Sequence, residues 1–313
     1  MKRKQYPIHP DFKKWSKMNP PLNRTMIPIT QKLLGVLFDR ERKSRDLSVT
    51  KEYITSSDGS TIRALLYSPI GIAANAPCLL YCHGGGFVMP AAPYHYSLVK
   101  EYALRAQCKV LFVDYRLAPK HPFPAAPEDC YSAYCHVISH SAELSVDPRR
   151  IAVSGDSAGA QLAMLVCLMA KDYNQIMPCG QMLMYPAVGH LPESESMKKY
   201  VDTPMCSSRD MEKYYKYYMQ NENIRKGEYS SPIKAQSYKG LPSAYIETAE
   251  FDPLHDGGVL YAKRLLDDGI PTVLTNTRGT IHGFDIVLNS PIVRKCVDDR
   301  IAFLSDVFAC RQE

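Results

Sequence analysis

Among its 313 residues the chain has one tryptophan, and no apolar run reaches the ~20 residues that a membrane-spanning helix requires. The longest such stretches, Leu162 to Ala170 among them, are of helix-core size. The basic start Met1-Lys2-Arg3-Lys4 is followed by Gln5-Tyr6-Pro7-Ile8-His9-Pro10, with neither an apolar core nor a small-residue cleavage site, so no export signal is expected. Repeats and low-complexity tracts are absent, which excludes a solenoid or a fibrous array. A disulfide framework is missing as well, although there are ten cysteines. Most of them sit inside apolar runs, as Cys78, Cys82 and Cys167 do, where a free thiol behaves as a small core residue. Thiols in that setting suit a reducing compartment, and a cytoplasmic protein is expected.

Charge of one sign is scarce over most of the chain. The formal net charge is +6, but residues 1–45 carry twelve Lys or Arg against three Asp or Glu, which leaves −3 for the remainder. A basic arm could touch nucleic acid or a membrane surface. No nucleic-acid fold signature accompanies it, so a solvated helical face is the better reading, with neither nucleic acid nor membrane as partner.

What is present reads as an α/β protein. Val49 to Ser56 and Thr61 to Ser68 are expected strands joined across an Asp58-Gly59 turn. From Pro77 onward, short apolar strands alternate with helical segments: 78–82, 109–115, 151–154, 181–185, 244–248 and 272–276. Continuous apolar strands, each followed by a helix, imply a mostly parallel sheet covered on both faces. Two helices show their ends. One opens at Pro127-Glu128-Asp129, and the other runs from Asp256 to Leu266 and stops at Gly269 with Pro271 beyond. Residues 1–48 and 187–225 fall outside this alternation. The first is taken as an N-terminal cap segment, and the second as a cap insertion within a catalytic domain of residues 49–313.

The strongest chemical signal is Gly155-Asp156-Ser157-Ala158-Gly159, placed between an expected strand and an apolar helix from Ala160. A nucleophilic serine on a sharp strand-to-helix turn needs very small neighbours two residues to either side. His83-Gly84-Gly85-Gly86 directly follows the strand 78–82, and consecutive glycines let backbone N–H groups converge on an oxyanion, with Ala158 as a further donor. A phosphate-binding loop would continue with Lys-Ser or Lys-Thr, whereas Phe87-Val88 stands there. The acid and the histidine should follow in that order. Asp252 comes after the strand 244–248, and His282 after the strand 272–276. His282 would then take the Ser157 proton and Asp252 would fix the imidazole.

These pieces, together with Asp114-Tyr115-Arg116-Leu117-Ala118-Pro119, His121-Pro122-Phe123-Pro124-Ala125-Ala126, Asp252-Pro253-Leu254 and His282-Gly283-Phe284, resemble the hormone-sensitive-lipase family of esterases, the family IV bacterial esterases. The resemblance covers about residues 75–290. It implies an α/β-hydrolase fold, with an eight-stranded sheet flanked by helices and a helical cap, and a serine carboxylesterase active on short-chain acyl esters through an acyl-enzyme. It further implies that Gly85 and Gly86 donate to the oxyanion with Ala158. Lys120, where an acid is usual, and Gly257, where Glu is common, depart from the pattern.

Two rival readings are weaker. His136 and His140 are spaced like a metal pair, but a zincin would carry Glu where Val137 stands, so no metal and no cofactor are expected. Some relatives are catalytically dead small-molecule receptors that have lost the triad histidine, and this chain retains His282. The expected partner is a small ester, acted on by a monomer or homodimer.

Overall fold

The computed structural model describes residues 5–15, 23, 26–37, 44–220 and 228–310. Helix α1 (Ile27–Leu37) is followed by a hairpin of β1 (Leu47–Thr55) and β2 (Thr61–Pro69), then β3 (Ala76–Cys82), α2 (Pro93–Arg105), β4 (Lys109–Asp114) and α3 (Ala125–Ser139). The second half runs through β5 (Val146–Asp156), α4 (Ala158–Asp172), β6 (Gln181–Met184), α5 (Glu195–Lys199) and α6 (Ser208–Tyr218). It ends with β7 (Ala244–Phe251), α7 (His255–Asp267), β8 (Thr272–Ile281) and α8 (Pro291–Ala309).

The eight strands form one sheet in the order β1-β2-β4-β3-β5-β6-β7-β8. β1 and β2 pair antiparallel, β2 meets β4 antiparallel, and every pairing from β4 to β8 is parallel. The hairpin turns at Gly59 with φ +81°, and Asp58 Oδ1 accepts from Ser60 N–H at 2.9 Å. The expected strands are all present. β3, β5, β7 and β8 extend beyond their expected bounds, whereas β4 and β6 each end one residue earlier than expected, at Asp114 and Met184.

Side-chain alternation divides the core into two apolar layers. Leu79, Tyr81, Val110, Phe112 and Met182 face one side, covered by α2 and α8. Leu80, Leu111, Val153, Leu183 and Ile246 face the other, covered by α3, α4 and α7. Helix α4 is apolar around its whole circumference and buried from Ala158 to Ala170, as a central helix must be. Each fully buried Leu or Val contributes about 1.5–3 kcal/mol. Below the strand ends, Arg300 of α8 lies fully buried between Glu247 of β7 and Asp285, with Nη1 2.9 Å from Asp285 Oδ2 and 3.1 Å from Tyr102 Oη. These two carboxylates outweigh the cost of burial and hold Arg300 charged, its pKa pushed further up.

Helices α1 and α6 lie outside the strand–helix alternation. Gln31 Nε2 of α1 donates to the carbonyls of Val88 (2.6 Å) and Ala118 (3.0 Å), which lays the helix across the C-terminal edge of the sheet. Helix α6 starts in a capping box of Ser207 and Asp210. Residues 38–43 of the expected N-terminal segment lie outside the described residues, as do 221–225 of the expected insertion. Among the described residues no helix is long and apolar enough to cross a membrane.

Candidate active site

The turn between β5 and α4 places Ser157 at φ +54° and ψ −117°, a region that side-chain-bearing residues rarely occupy. What forces the turn is close packing on both sides. A Cβ on Gly155 would lie 2.5 Å from the Cys82 carbonyl oxygen, and one on Gly159 would run into that same carbonyl. Both glycines are therefore required by backbone-to-backbone approach. Ser157 N–H donates to Met184 O at 2.9 Å, which fixes the elbow against β6.

Asp252 leaves the end of β7 and His282 the end of β8, parallel neighbours, so both side chains reach the same edge as Ser157. His282 Nε2 is 2.8 Å from Ser157 Oγ, and His282 Nδ1 is 2.8 Å from Asp252 Oδ2. The other carboxylate oxygen of Asp252 accepts from Leu254 N–H at 2.8 Å. Asp252 is completely buried, and Ser157 and His282 nearly so. The Tyr185 ring meets the His282 ring edge-on at 5.1 Å. A hydroxyl, an imidazole and a carboxylate in this row can pass a proton from the serine to the imidazole while the carboxylate holds the ring.

The glycine loop lies beside the serine. Gly85 has φ +124° and Gly86 φ +62°, and among the described residues no acceptor takes the N–H of Gly85, Gly86 or Ala158. Two buried side chains hold the loop from beneath. Tyr115 Oη donates to His83 O at 2.7 Å, and Asp156 Oδ1 accepts from Gly84 N–H at 2.9 Å. Asp156 also accepts from Tyr81 Oη (2.9 Å) and Tyr94 Oη (3.2 Å), and His95 Nε2 lies 3.1 Å away. Burial opposes a charge at Asp156, but His95 and the converging donors prevail and hold its carboxyl at about 2. Burial, with His95 adding to it, lowers the His83 imidazole to about 4.

Ser157, His282 and Asp252 are thus joined in one hydrogen-bonded row, and Gly85, Gly86 and Ala158 line the cavities that Ser157 faces. Sequence reasoning missed Asp156, Tyr115 and Tyr185, whose positions depend on strands far apart in the chain. The local signs were the place of Asp156 inside the serine motif and of Tyr115 inside the Asp114–Pro119 motif. His136 and His140 stack ring on ring at 4.1 Å, and among the described residues no group of three or more His, Cys, Asp or Glu is arranged to hold a metal.

Comparison with known proteins agrees with this architecture. The sequence profile of the alpha/beta hydrolase fold family matches residues 79–286. Esterase LipI of Mycobacterium tuberculosis is 35% identical over 212 residues, 67% of this chain and 66% of that protein, so the chain spans just under two thirds of LipI. Carboxylesterase NlhH of the same organism is 34% identical over 238 residues, 75% of each chain. The crystal structure of esterase LipW from Mycobacterium marinum superposes with a TM-score of 0.89 at 27% identity, covering 97% of this chain and 96% of that one.

Proposed function

The chain belongs to the hormone-sensitive-lipase (family IV) type of the α/β-hydrolase fold, and on that premise we propose that it is a serine carboxylesterase acting on short-chain acyl esters, with Ser157 as nucleophile. The observation that carries the reading is the unbroken row Ser157 Oγ, His282 Nε2, His282 Nδ1, Asp252 Oδ2, with 2.8 Å at both junctions.

Ser157 Oγ bonds to the ester carbonyl carbon as its proton passes to His282 Nε2. The carbonyl oxygen becomes an oxyanion, which the N–H groups of Gly85, Gly86 and Ala158 stabilise as the charge forms. Collapse breaks the bond to the alcohol oxygen, and His282 returns the proton to the departing alkoxide. Water then enters, gives a proton to His282, and attacks the acyl-enzyme by the same route, releasing the acid and restoring Ser157. Asp252 holds the imidazole ring in place and stabilises the imidazolium.

Residues 1–48 and 187–225 serve as the cap over this site, and its roof supports small soluble esters over emulsified fat. All ten cysteines are free and eight are buried, which supports placement in the cytoplasm.

Hydrolysis of p-nitrophenyl acetate by the native chain and by Ser157→Ala tests the reading. The substitution should lower kcat by at least about 10⁴-fold with the fold retained. A variant that keeps native turnover would exclude Ser157 as the nucleophile.

A further inference from the structure

Ser157 stands between two cavities of very different size. One, about 60 Å³, is lined by Ala158, Gln161, Leu191, Met197, Tyr214 and Tyr215. The other, about 720 Å³, holds His282 together with Trp15, Leu34, Met89, Met205 and Leu288. Which half of an ester enters each follows from the proton transfers. The leaving oxygen must lie within reach of His282 Nε2, because that nitrogen protonates it. The carbonyl oxygen is committed to the glycine loop and Ala158. The remaining substituent of the tetrahedral carbon, the acyl chain, must then leave on the side away from His282, and the small cavity is what lies there.

The small cavity is closed by a stack rather than by the sheet. The Tyr215 ring of α6 lies on the His190 ring at 4.2 Å and 15°, and His190 Nε2 is held by Glu212 Oε1 at 2.7 Å. On the far side of this pair is an open groove of about 530 Å³, lined by His190, Glu212, Lys213, Tyr215 and Lys216. Both cavities share His190 and Tyr215, so the stack is the partition between them. Among the described residues no such stack closes the large cavity. Its lining is mainly apolar, and the titratable side chains among the described residues that face it besides His282 are Asp156, His95, Tyr185, Tyr214 and Cys206, all buried, and the partly buried Tyr94.

Building on the ester-hydrolase reading, we propose that the physiological substrates are acetyl to butyryl esters of bulky, apolar, ring-bearing alcohols. The alcohol is seated on the His282 side, and the Tyr215–His190 stack sets the limit on acyl length. Tyr215 is a specificity-determining residue in this scheme, since it touches the end of the acyl chain and no reacting atom.

A pair of mirror-image esters tests the partition. 2-(1-Naphthyl)ethyl acetate carries its rings on the alcohol, and ethyl 3-(1-naphthyl)propanoate carries them on the acid; both release unactivated primary alcohols. The native chain should favour the first by about 100-fold in kcat/KM, the size of penalty that a misfit group brings in a closed pocket. A ratio near one, or its inversion, would overturn the assignment of the cavities. Tyr215→Ala should open the acyl pocket into the outer groove and raise the octanoate-to-butyrate ratio of kcat/KM by about tenfold or more on p-nitrophenyl esters. Tyr215→Phe, which keeps the stack, should leave that ratio at the native value, and His190→Ala should move it in the same direction as Tyr215→Ala. An unchanged ratio in both Tyr215→Ala and His190→Ala would overturn the role of the stack. Native hydrolysis of p-nitrophenyl acetate, absent in Ser157→Ala, separates these outcomes from a failure of the esterase reading itself.

Discussion

The sheet edge that carries Ser157 and the segments proposed as its cap are built on opposite terms. At the edge, backbone meets backbone. Gly155 and Gly159 press on the Cys82 carbonyl, Ser157 is held at φ +54°, and Asp156 gathers donors from three separate elements. In the proposed cap, contacts run through side chains, as from Gln31 to the Val88 and Ala118 carbonyls, and part of the apolar surface stays exposed. Leu33 and Ile29 of α1 are 64% and 59% exposed, while Thr30 and Leu34 on the same helix face the large cavity. The difference teaches where this molecule can vary. Reaction geometry rests on contacts that admit no added atom, and substrate shape rests on contacts that do.

The largest expected effect strikes the framework under the edge. Arg300→Ala leaves Glu247 and Asp285 buried without their cation and should cost about 3–5 kcal/mol of stability, read as a shift of the urea midpoint. A loss below about 1 kcal/mol would mean that the cluster is reached by water and that edge and cap are equally forgiving. Next comes Gly86→Val. Its Cβ would collide with the Tyr214 ring and the position has φ +62°, so the loop must move. The rate kcat should fall by about 10²-fold or more, with KM changed far less. Native kcat would show that the oxyanion donors lie elsewhere.

A subtler test uses pH. The Asp156 carboxyl is depressed from its ordinary 3.8 to about 2, so the folded state binds its proton less readily than the unfolded chain does. That contribution, about 2 kcal/mol, is fully present above pH ~4 and is lost as pH falls through ~2. Between pH 5 and pH 3 the native chain should therefore lose stability more steeply than Asp156→Asn. Parallel slopes would remove the buried anion from the account. Asp156→Asn should also lower kcat by about tenfold, through a less well held Gly84. The smallest effect belongs to the cap surface: Leu33→Ser should change stability by less than about 0.5 kcal/mol and leave p-nitrophenyl butyrate turnover unaltered.

The same contrast explains what the sequence reveals. Strands buried on both faces announce themselves as apolar runs, and glycines forced by backbone contact appear as Gly85, Gly155 and Gly159 around a serine, with Gly86 held to glycine by its positive φ and the Tyr214 ring. Asp252 and His282 are found by chain order at successive strand ends. The roles of Asp156, Tyr115 and Tyr185 are silent, because each depends on strands brought together only by the fold. The cap is the least legible part. Apolar residues in 1–48 and 187–225 suggest that the two segments pack together to close the acyl pocket. Of the described N-terminal residues, Trp15, Thr30 and Leu34 line the larger cavity and none lines the smaller one, whereas Met211 and Tyr214 line both. Gln31 decides this by anchoring α1 to the Val88 and Ala118 carbonyls, a long-range pairing that no periodicity encodes.

The central claim is that one strained serine, and no other nucleophile, forms the covalent intermediate. Treating the native chain with a fluorophosphonate and mapping the adduct by peptide mass spectrometry tests it directly. The account predicts one adduct per chain, on Ser157, with activity lost in proportion to labelling and no adduct in His282→Ala over the same time. Labelling at another residue, or full labelling of Ser157 with activity intact, would contradict it.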